Sequence, residues 1–195
     1  MHTHELLTIA SAIVPDRTAV VFEDQRYTFA DLAARANRLA NALASAGVVA
    51  GDRIAVMDVN TPQHFELYFA TARLDAIYVP LNFRGRDEEI GFPLEHASPK
   101  VIVAGDRYAP LIDDLRHRAP DGASYVVLTG EALPGWTAYD DFLASGEDDE
   151  VRFPGGDPDD TAVLLFTAGT TGRPKAVMLT HSSFTSYVLT SVEPP

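Results

Sequence analysis

Apolar residues recur along this chain at two spacings that alternate with one another. The first clear group stands three or four residues apart, which predicts one face of an amphipathic helix: Leu32, Ala36, Leu39, Ala40 and Leu43. The next group, Ile54 to Met57, is short and uninterrupted, as is typical of a strand buried on both faces. The pattern therefore predicts a helix followed by a buried strand.

Polar residues indicate where the first helix begins and ends. Thr28 and Asp31 stand three apart and can form a capping box, in an aspartate version that is less usual than the glutamate one. Gly47 is a typical residue to end the helix, because glycine readily adopts the left-handed conformation there.

The alternation continues beyond residue 58. Asn60 or Thr61 can cap a second helix with Pro62 in its first turn, and its predicted apolar stripe is Phe65, Tyr68, Phe69 and Ala72. Further strands are predicted at residues 77–81, 100–104 and 124–128, with helices at 86–96 and 109–118 between them. Residues 19–22 and 26–29 predict a small antiparallel hairpin. Strands that alternate with helices predict an α/β fold, a doubly wound and mostly parallel sheet with helices on both faces.

An acidic segment interrupts this alternation. Seven of the fourteen residues from 147 to 160 are Asp or Glu, and prolines and glycines stand among them. We interpret residues 146–160 as a surface linker, and the boundary divides a first subdomain, residues 1–157, from the start of a second, residues 158–195. A metal-binding acidic loop is the alternative, but nothing in the spacing holds the carboxylates in a common geometry.

The most specific chemistry follows the linker. An apolar run, Thr161 to Phe166, leads into Thr167-Ala168-Gly169-Thr170-Thr171-Gly172-Arg173-Pro174-Lys175, and a second apolar run, Ala176 to Leu179, comes next. Two glycines let successive backbone N–H groups turn into one concavity that suits phosphate oxygens, and Lys175 adds a positive charge. The spacing is not that of a Walker A loop, and a strand-to-strand hairpin that begins a second sheet fits better than a strand-to-helix turn. A hairpin without a ligand is the alternative on composition alone.

The segment Leu165 to Val177 resembles the signature of the adenylate-forming superfamily, which includes acyl-CoA synthetases, firefly luciferase and peptide-synthetase adenylation domains. Two other segments, Arg26 to Leu32 and Asp75 to Asn82 with Arg84 after it, resemble further conserved segments of that family. The Pro-Leu-Asn form of the latter and the double threonine of the loop favour acyl-CoA ligases. Two positions depart from the pattern: Ala168 replaces the usual serine, and Ala176 stands where glycine is commoner.

The resemblance implies the residues that bind the β- and γ-phosphates of ATP: Thr167, Ala168, Gly169, Thr170, Thr171, Gly172 and Lys175. It also implies ATP, Mg²⁺ and CoA as the small molecules of the reaction. A carboxylic acid, with a fatty acid as the first candidate, would attack the α-phosphate to give an acyl adenylate, and the CoA thiol would then displace AMP. The loop would orient the triphosphate and stabilise charge on the departing pyrophosphate.

Family members are more than twice as long as these 195 residues. The resemblance therefore predicts that the chain is the N-terminal portion of a longer enzyme, carries no catalytic residue of its own, and by itself makes no acyl-CoA. Three alternatives stay open. The parent could load an acid onto a carrier protein, the chain could be a shortened nucleotide-binding or interaction module without catalysis, or it could be an α/β domain without a ligand.

Charge and composition exclude some classes of partner and of catalytic chemistry. The formal net charge of -13 argues against a general nucleic-acid partner, and the lack of cysteine excludes disulfides and a thiol nucleophile. No apolar run reaches the roughly 20 residues of a membrane span, so a cytoplasmic protein is expected. Three histidines are candidates for a functional role: His181 is expected to be structural, and His2 and His4, although spaced like a metal pair, are expected to be exposed to solvent.

Overall fold

The computed structural model describes residues 1–151, 153–167 and 174–191. The helices are α1 (Thr3–Ile13), α2 (Phe29–Ser45), α3 (Pro62–Arg73), α4 (Asp87–Ala97), α5 (Ala109–Asp114), α6 (Tyr139–Ala144) and α7 (His181–Ser191), with a 3₁₀ turn at Arg116–Arg118. The strands are β1 (Thr18–Phe22), β2 (Gln25–Thr28), β3 (Arg53–Met57), β4 (Ile77–Pro80), β5 (Val101–Ala104), β6 (Ser124–Val127), β7 (Thr137–Ala138), β8 (Thr161–Thr167) and β9 (Lys175–Thr180).

Seven of the strands form one sheet in the order β7-β6-β5-β3-β4-β8-β9. All neighbouring pairs are parallel except β8 and β9, which are antiparallel, while β1 and β2 form a separate antiparallel hairpin. The chain runs from β3 to β4 on one side and then crosses back to β5 and β6 on the other. The predicted mostly parallel α/β sheet is confirmed.

Two cores cover the two faces of this sheet. Successive residues of each central strand point to opposite faces, so Ile54 and Val56 belong to the core beneath α2, α3 and α6, and Ala55 and Met57 belong to the core beneath α4 and α5. Because both faces are buried, these strands need apolar residues at every position. This explains the uninterrupted apolar runs of the sequence.

The start of α2 has the predicted capping geometry. The Thr28 hydroxyl accepts a hydrogen bond from the Asp31 backbone N–H at 3.1 Å, and the Asp31 carboxylate accepts one from the Thr28 N–H at 2.9 Å. These hydrogen bonds also lower the pKa of the Asp31 carboxyl. Gly47 adopts a positive φ of 83° just after the helix, as its predicted role requires.

The predicted apolar stripe of α3 is right for Ala72, which is buried, and for Tyr68 and Phe69, which pack against cores, but it is wrong for Phe65. Phe65 is 49% exposed, whereas the buried face includes Glu66, Leu67 and Ala70. Glu66 lies there because Arg35 Nε donates to its Oε1 at 2.7 Å and Tyr139 Oη donates to its Oε2 at 2.7 Å. A carboxylate can be buried when both of its oxygens have donors. A count of apolar residues alone could not find this face.

The β8–β9 hairpin corrects a second expectation. The sequence predicts that it begins a second sheet, but Val163 of β8 pairs in parallel with Tyr78 of β4, so the hairpin extends the first sheet. Ala162 and Val163 are buried in the same core as Leu39 and Leu67. The continuous apolar run of β8 therefore completes this core. A subdomain boundary near residue 158 stays a prediction.

Candidate phosphate-binding site

The predicted phosphate loop lies between the two strands of the β8–β9 hairpin. Thr167 and Lys175 are direct partners in the antiparallel register, and the Thr167 hydroxyl donates to the Lys175 carbonyl oxygen at 3.4 Å. Both residues are exposed, so the lysine charge is directed to solvent and not to the core. Residues Ala168, Gly169, Thr170, Thr171 and Gly172 lie outside the described residues, and their predicted contacts with phosphate stay a prediction.

The position of this hairpin in the sheet suits a ligand site. Since β8 is parallel to β4, its last residue, Thr167, lies at the carboxyl edge of the sheet. In open α/β sheets ligands bind outside this edge, where loops can vary without disturbing the core. Phe166 packs edge-on against Phe92 of α4, with ring centroids 6.1 Å apart. The loop therefore starts from a strand end that is held by packing.

The chain that leaves β4 makes a tight turn at the same edge. The Asn82 carbonyl accepts from the Gly85 N–H at 2.7 Å, and a Cβ at Gly85 would come within 2.9 Å of Ile90. A side chain at this position would force Ile90 or the turn to shift. Arg84 is exposed and places its guanidinium 4.7 Å from the Phe83 ring centroid.

A cavity that was not predicted from the sequence lies at the carboxyl ends of β3, β5 and β6. It has a volume of about 290 Å³, and its lining includes Tyr27, Asp58, Thr61, Asp106 and Tyr108. The crossing from β4 back to β5 places it where the strand order reverses. The sequence signal was available, since Asp58 and Asp106 each follow a buried strand within two residues.

Asp58 is the unusual group of this cavity. Burial raises the pKa of its carboxyl, although the Val59 N–H donates to it at 2.8 Å. Gly105 lies directly beneath, because a Cβ there would come within 2.6 Å of the Asp58 carboxylate. The hydroxyl of Thr61 is buried and has no hydrogen-bond partner among the described residues. We assign no ligand to this cavity.

The expectation that His2 and His4 are exposed is wrong. His2 is 8% exposed, and its ring lies 4.5 Å from Phe153 and 5.0 Å from His181 between ring centroids. His4 lies against the same phenylalanine at 4.7 Å. Helix α1 packs onto α7 and thereby encloses the N-terminal residues. Across residues 1–151, 153–167 and 174–191, no three His, Cys, Asp or Glu side chains are grouped to hold a metal ion.

This histidine cluster predicts a loss of stability in mild acid. Burial, together with the nearby Arg73, lowers the pKa of His4 to about 4, and burial also lowers the pKa of His181. Both groups bind protons more readily when unfolded, where their pKa is about 6.5. The stability that they contribute is therefore complete above about pH 6.5 and is lost as the pH falls towards the folded values. We expect the urea midpoint to fall between pH 7 and pH 5.

Two variants separate this effect from other titrations. In His4→Gln the pH dependence of the urea midpoint should become shallower, because the proton uptake of one histidine is removed. His117, which is exposed, is the matched control, and His117→Gln should leave the pH dependence as it is. Equal slopes in the wild type and in His4→Gln would contradict the assignment.

Comparison with known proteins identifies the family. Residues 8–194 match the family described as AMP-binding enzyme. The chain belongs to this family. A crotonobetaine/carnitine–CoA ligase of Salmonella arizonae is 32% identical to this chain over 188 residues. The match covers 92% of this chain and 36% of that ligase. The adenylate-forming fold and the resemblance to acyl-CoA ligases are thus confirmed.

Solved structures of the AMP-binding enzyme family agree with this fold. The N-terminal domain of FACL13 from Mycobacterium tuberculosis superimposes with a TM-score of 0.81 at 30% identity, over 99% of this chain and 48% of that one. A fatty acyl CoA synthetase of the same organism gives a TM-score of 0.79 at 30% identity, over 95% of this chain and 37% of that one. The chain thus spans between about a third and a half of the length of these relatives.

The acidic segment before the hairpin is attached to α2 in this AMP-binding enzyme chain. Asn41 donates to the carbonyl oxygens of Glu147 and Asp149, each at 2.7 Å, and the Arg38 guanidinium pairs with Asp148. The carboxylates of this segment are largely exposed, and its backbone carbonyls make the contacts with the asparagine. The geometry fits a surface connection. Separately, none of the helices described is both long and apolar enough to span a membrane.

Proposed function

We propose that the protein containing this chain is an ATP-dependent acid–CoA ligase, which activates a carboxylic acid as an acyl adenylate and transfers the acyl group to CoA. The observation that carries the proposal is the exposed Lys175 paired with Thr167 at the carboxyl edge of the sheet, on either side of a loop rich in glycine and threonine. The lysine charge faces solvent beside the loop and contributes nothing to a core, so it is available to a ligand. The CoA-ligase names of the relatives support CoA as the acceptor.

The proposed reaction has two steps. A carboxylate oxygen of the acid attacks the α-phosphorus of ATP, the new P–O bond forms, and pyrophosphate leaves with the electrons of the broken P–O bond. The CoA thiol then loses its proton and attacks the acyl carbonyl carbon, and AMP leaves. The contribution of this chain is to the first step, in which Lys175 and the donors of the loop hold the β- and γ-phosphates and stabilise the leaving pyrophosphate.

Mg²⁺ would enter the proposed reaction together with ATP. Because the ion prefers oxygen ligands and retains water, phosphate oxygens with one or two carboxylates are its usual partners in such sites. The described part of this chain has no grouped set of protein ligands for a metal. We derive no step from the ion. The expected lack of activity of the 195 residues alone stays a prediction, as does a cytoplasmic location.

The acid is the least constrained part of the proposal, and a fatty acid is the first candidate. Pyrophosphate release by the complete protein should be measured with ATP, Mg²⁺ and CoA against a panel of acids. The panel holds fatty acids of several chain lengths, aryl acids, and the crotonobetaine and carnitine that name the Salmonella relative. Release that depends on one class of acid, with acyl-CoA as product, supports the proposal. No release with any acid would contradict it.

The departure at Ala168 carries its own prediction. Ala168→Ser restores the hydroxyl of the family pattern, so adenylation should be equal or modestly faster. The check is the rate of pyrophosphate release in the two proteins. A loss of more than about tenfold, or 1.4 kcal/mol, would mean that the alanine is required here.

A further inference from the structure

His181 connects the phosphate hairpin to the N-terminal segment of the chain. It is the first residue of α7, follows β9 directly, and is completely buried. The Thr3 backbone N–H donates to His181 Nδ1 at 3.3 Å, and the Thr3 hydroxyl lies 2.9 Å from the same nitrogen. Thr3 is also completely buried. Two groups of α1 thus converge on one ring nitrogen of α7.

The backbone donor decides the protonation of the ring. A backbone N–H can only donate, so Nδ1 of His181 must accept and the ring proton lies on Nε2. That nitrogen is 3.5 Å from Oδ1 of Asp75, and neither atom has a hydrogen-bond partner among the described residues. Asp75 stands between α3 and β4 and has a φ of 54°, an uncommon conformation for a residue with a side chain. Its carboxylate lies against Gly156, where a Cβ would overlap it.

His181 and the next residue, Ser182, also hold the segment that leads into β8. The His181 N–H donates to the Asp160 carbonyl at 3.2 Å, and the Ser182 N–H donates to the Pro158 carbonyl at 2.7 Å. The turn before β8 and the end of β9 are therefore joined at α7. Thr167 and Lys175 lie at the opposite end of the two strands.

The hairpin joins the rest of the sheet through β8, whose residues Ala162, Val163 and Phe166 pack against the cores, whereas β9 has only β8 beside it in the sheet order. The register joins β8 to the rest of the sheet through Val163 and Tyr78, and β9 is an end strand that pairs with β8. A long hairpin held near one strand can tilt about that strand unless its base is also held. We propose that Thr3, His181 and Asp75 form a clamp that positions the β8–β9 hairpin and, through it, the phosphate loop. The positioning of a phosphate loop rests on the proposed function, whereas the restraint of the hairpin does not.

The clamp is sensitive to pH because of its geometry. Protonation of His181 would place a proton on Nδ1 facing the Thr3 N–H, so that two donors would meet. Asp75 and Asp160 favour the charged ring, whereas burial and the neighbouring His2 and His4 oppose it. The neutral His181 ring accepts from Thr3 and keeps the clamp formed. The clamp is lost when the ring is protonated, at a pH below the ordinary pKa of histidine.

Thr3→Val is the first test, since it keeps the shape and the backbone N–H but removes the hydroxyl, and Thr3→Ser is the matched control. Hydrogen exchange at pH 7 should become about two- to tenfold faster at the amides of β8 and β9 in Thr3→Val, the range for one lost hydrogen bond. Exchange in β3 and β5 should be unchanged, and Thr3→Ser should behave as wild type. In the complete protein, the KM for ATP should rise by a similar factor with little change in kcat. His181→Asn, whose side-chain oxygen can accept from Thr3, should retain more of the restraint than His181→Leu.

Each outcome decides a different part of the inference. Unchanged exchange in β8 and β9 of Thr3→Val, or a uniform increase in all strands, would overturn the clamp. If exchange in Thr3→Val becomes faster only in β8 and β9, but the KM for ATP of an active protein is unchanged, the link between the clamp and the phosphate loop is overturned. Absence of pyrophosphate release in the wild type would contradict the proposed function instead, and the exchange data would still decide whether the hairpin is restrained.

Discussion

Lys175→Ala should slow adenylation by about ten- to a hundredfold while leaving the fold intact. The reason is that the side chain is exposed beside the loop, so its removal should cost the proposed charged contact with phosphate but no packing. Loss of one hydrogen bond to a charged group in the transition state corresponds to about one to two powers of ten in rate. Pyrophosphate release in the complete protein, at saturating acid, measures this directly.

The sequence offers a matched control for this variant. Its only other lysine is Lys100, which is also exposed and lies at the amino end of β5, on the opposite edge of the sheet. Lys100→Ala changes the net charge equally but should leave the adenylation rate as it is. If both variants lose the same activity, the effect is one of total charge. If Lys175→Ala releases pyrophosphate at the wild-type rate, the phosphate-binding assignment is wrong.

Glu66→Ala should destabilise the protein by about 3 kcal/mol or more, the largest effect on stability that we expect from a single change. Glu66 is 1% exposed and joins three helices, because Arg35 of α2 and Tyr139 of α6 both donate to its carboxylate. Its removal leaves a buried tyrosine hydroxyl and a half-buried guanidinium without their partner. Urea unfolding of the 195-residue chain, followed by circular dichroism, gives the free energy of unfolding.

A second glutamate shows whether burial is the cause. Glu95 also pairs with an arginine, Arg118, at 2.8 Å, but its side chain is 57% exposed. Glu95→Ala should leave the free energy of unfolding without a measurable change, because water replaces an exposed ion pair. Tyr139→Phe should give a smaller loss than Glu66→Ala, of about 2 kcal/mol, since one hydrogen bond to a charged group is removed. Similar losses in both glutamate variants would contradict the role of the buried network.

The positions of the central elements could be predicted because their causes are local. A strand buried on both faces must be apolar at every position, and the run Ile54 to Met57 has no other simple explanation. The capping residues Thr28 and Asp31 act through atoms three residues apart, so their sequence spacing already contains the geometry. The hairpin of β8 and β9 follows from two apolar runs around a glycine-rich loop. The residue pattern of that loop is also specific enough to indicate the family.

The predictions that failed concern residues whose contact partners are distant in the sequence. The buried face of α3 includes a glutamate whose donors come from residues 31 positions earlier and 73 positions later. His2 and His4 are enclosed because α7, at the other end of the chain, packs against α1. The short helix α6 has too few residues for an apolar period to show.

The sequence by itself thus determined the class of fold, the positions of the buried strands and the residue pattern of the candidate phosphate loop, because each depends on side-chain type and short spacing. Only the tertiary structure decided that the hairpin joins the first sheet, since that depends on which free edge β8 can reach, and β4 offers it through Tyr78. It alone brought Thr3 to His181, 178 positions apart. Such contacts depend on how whole elements pack, and no local pattern in the chain encodes them.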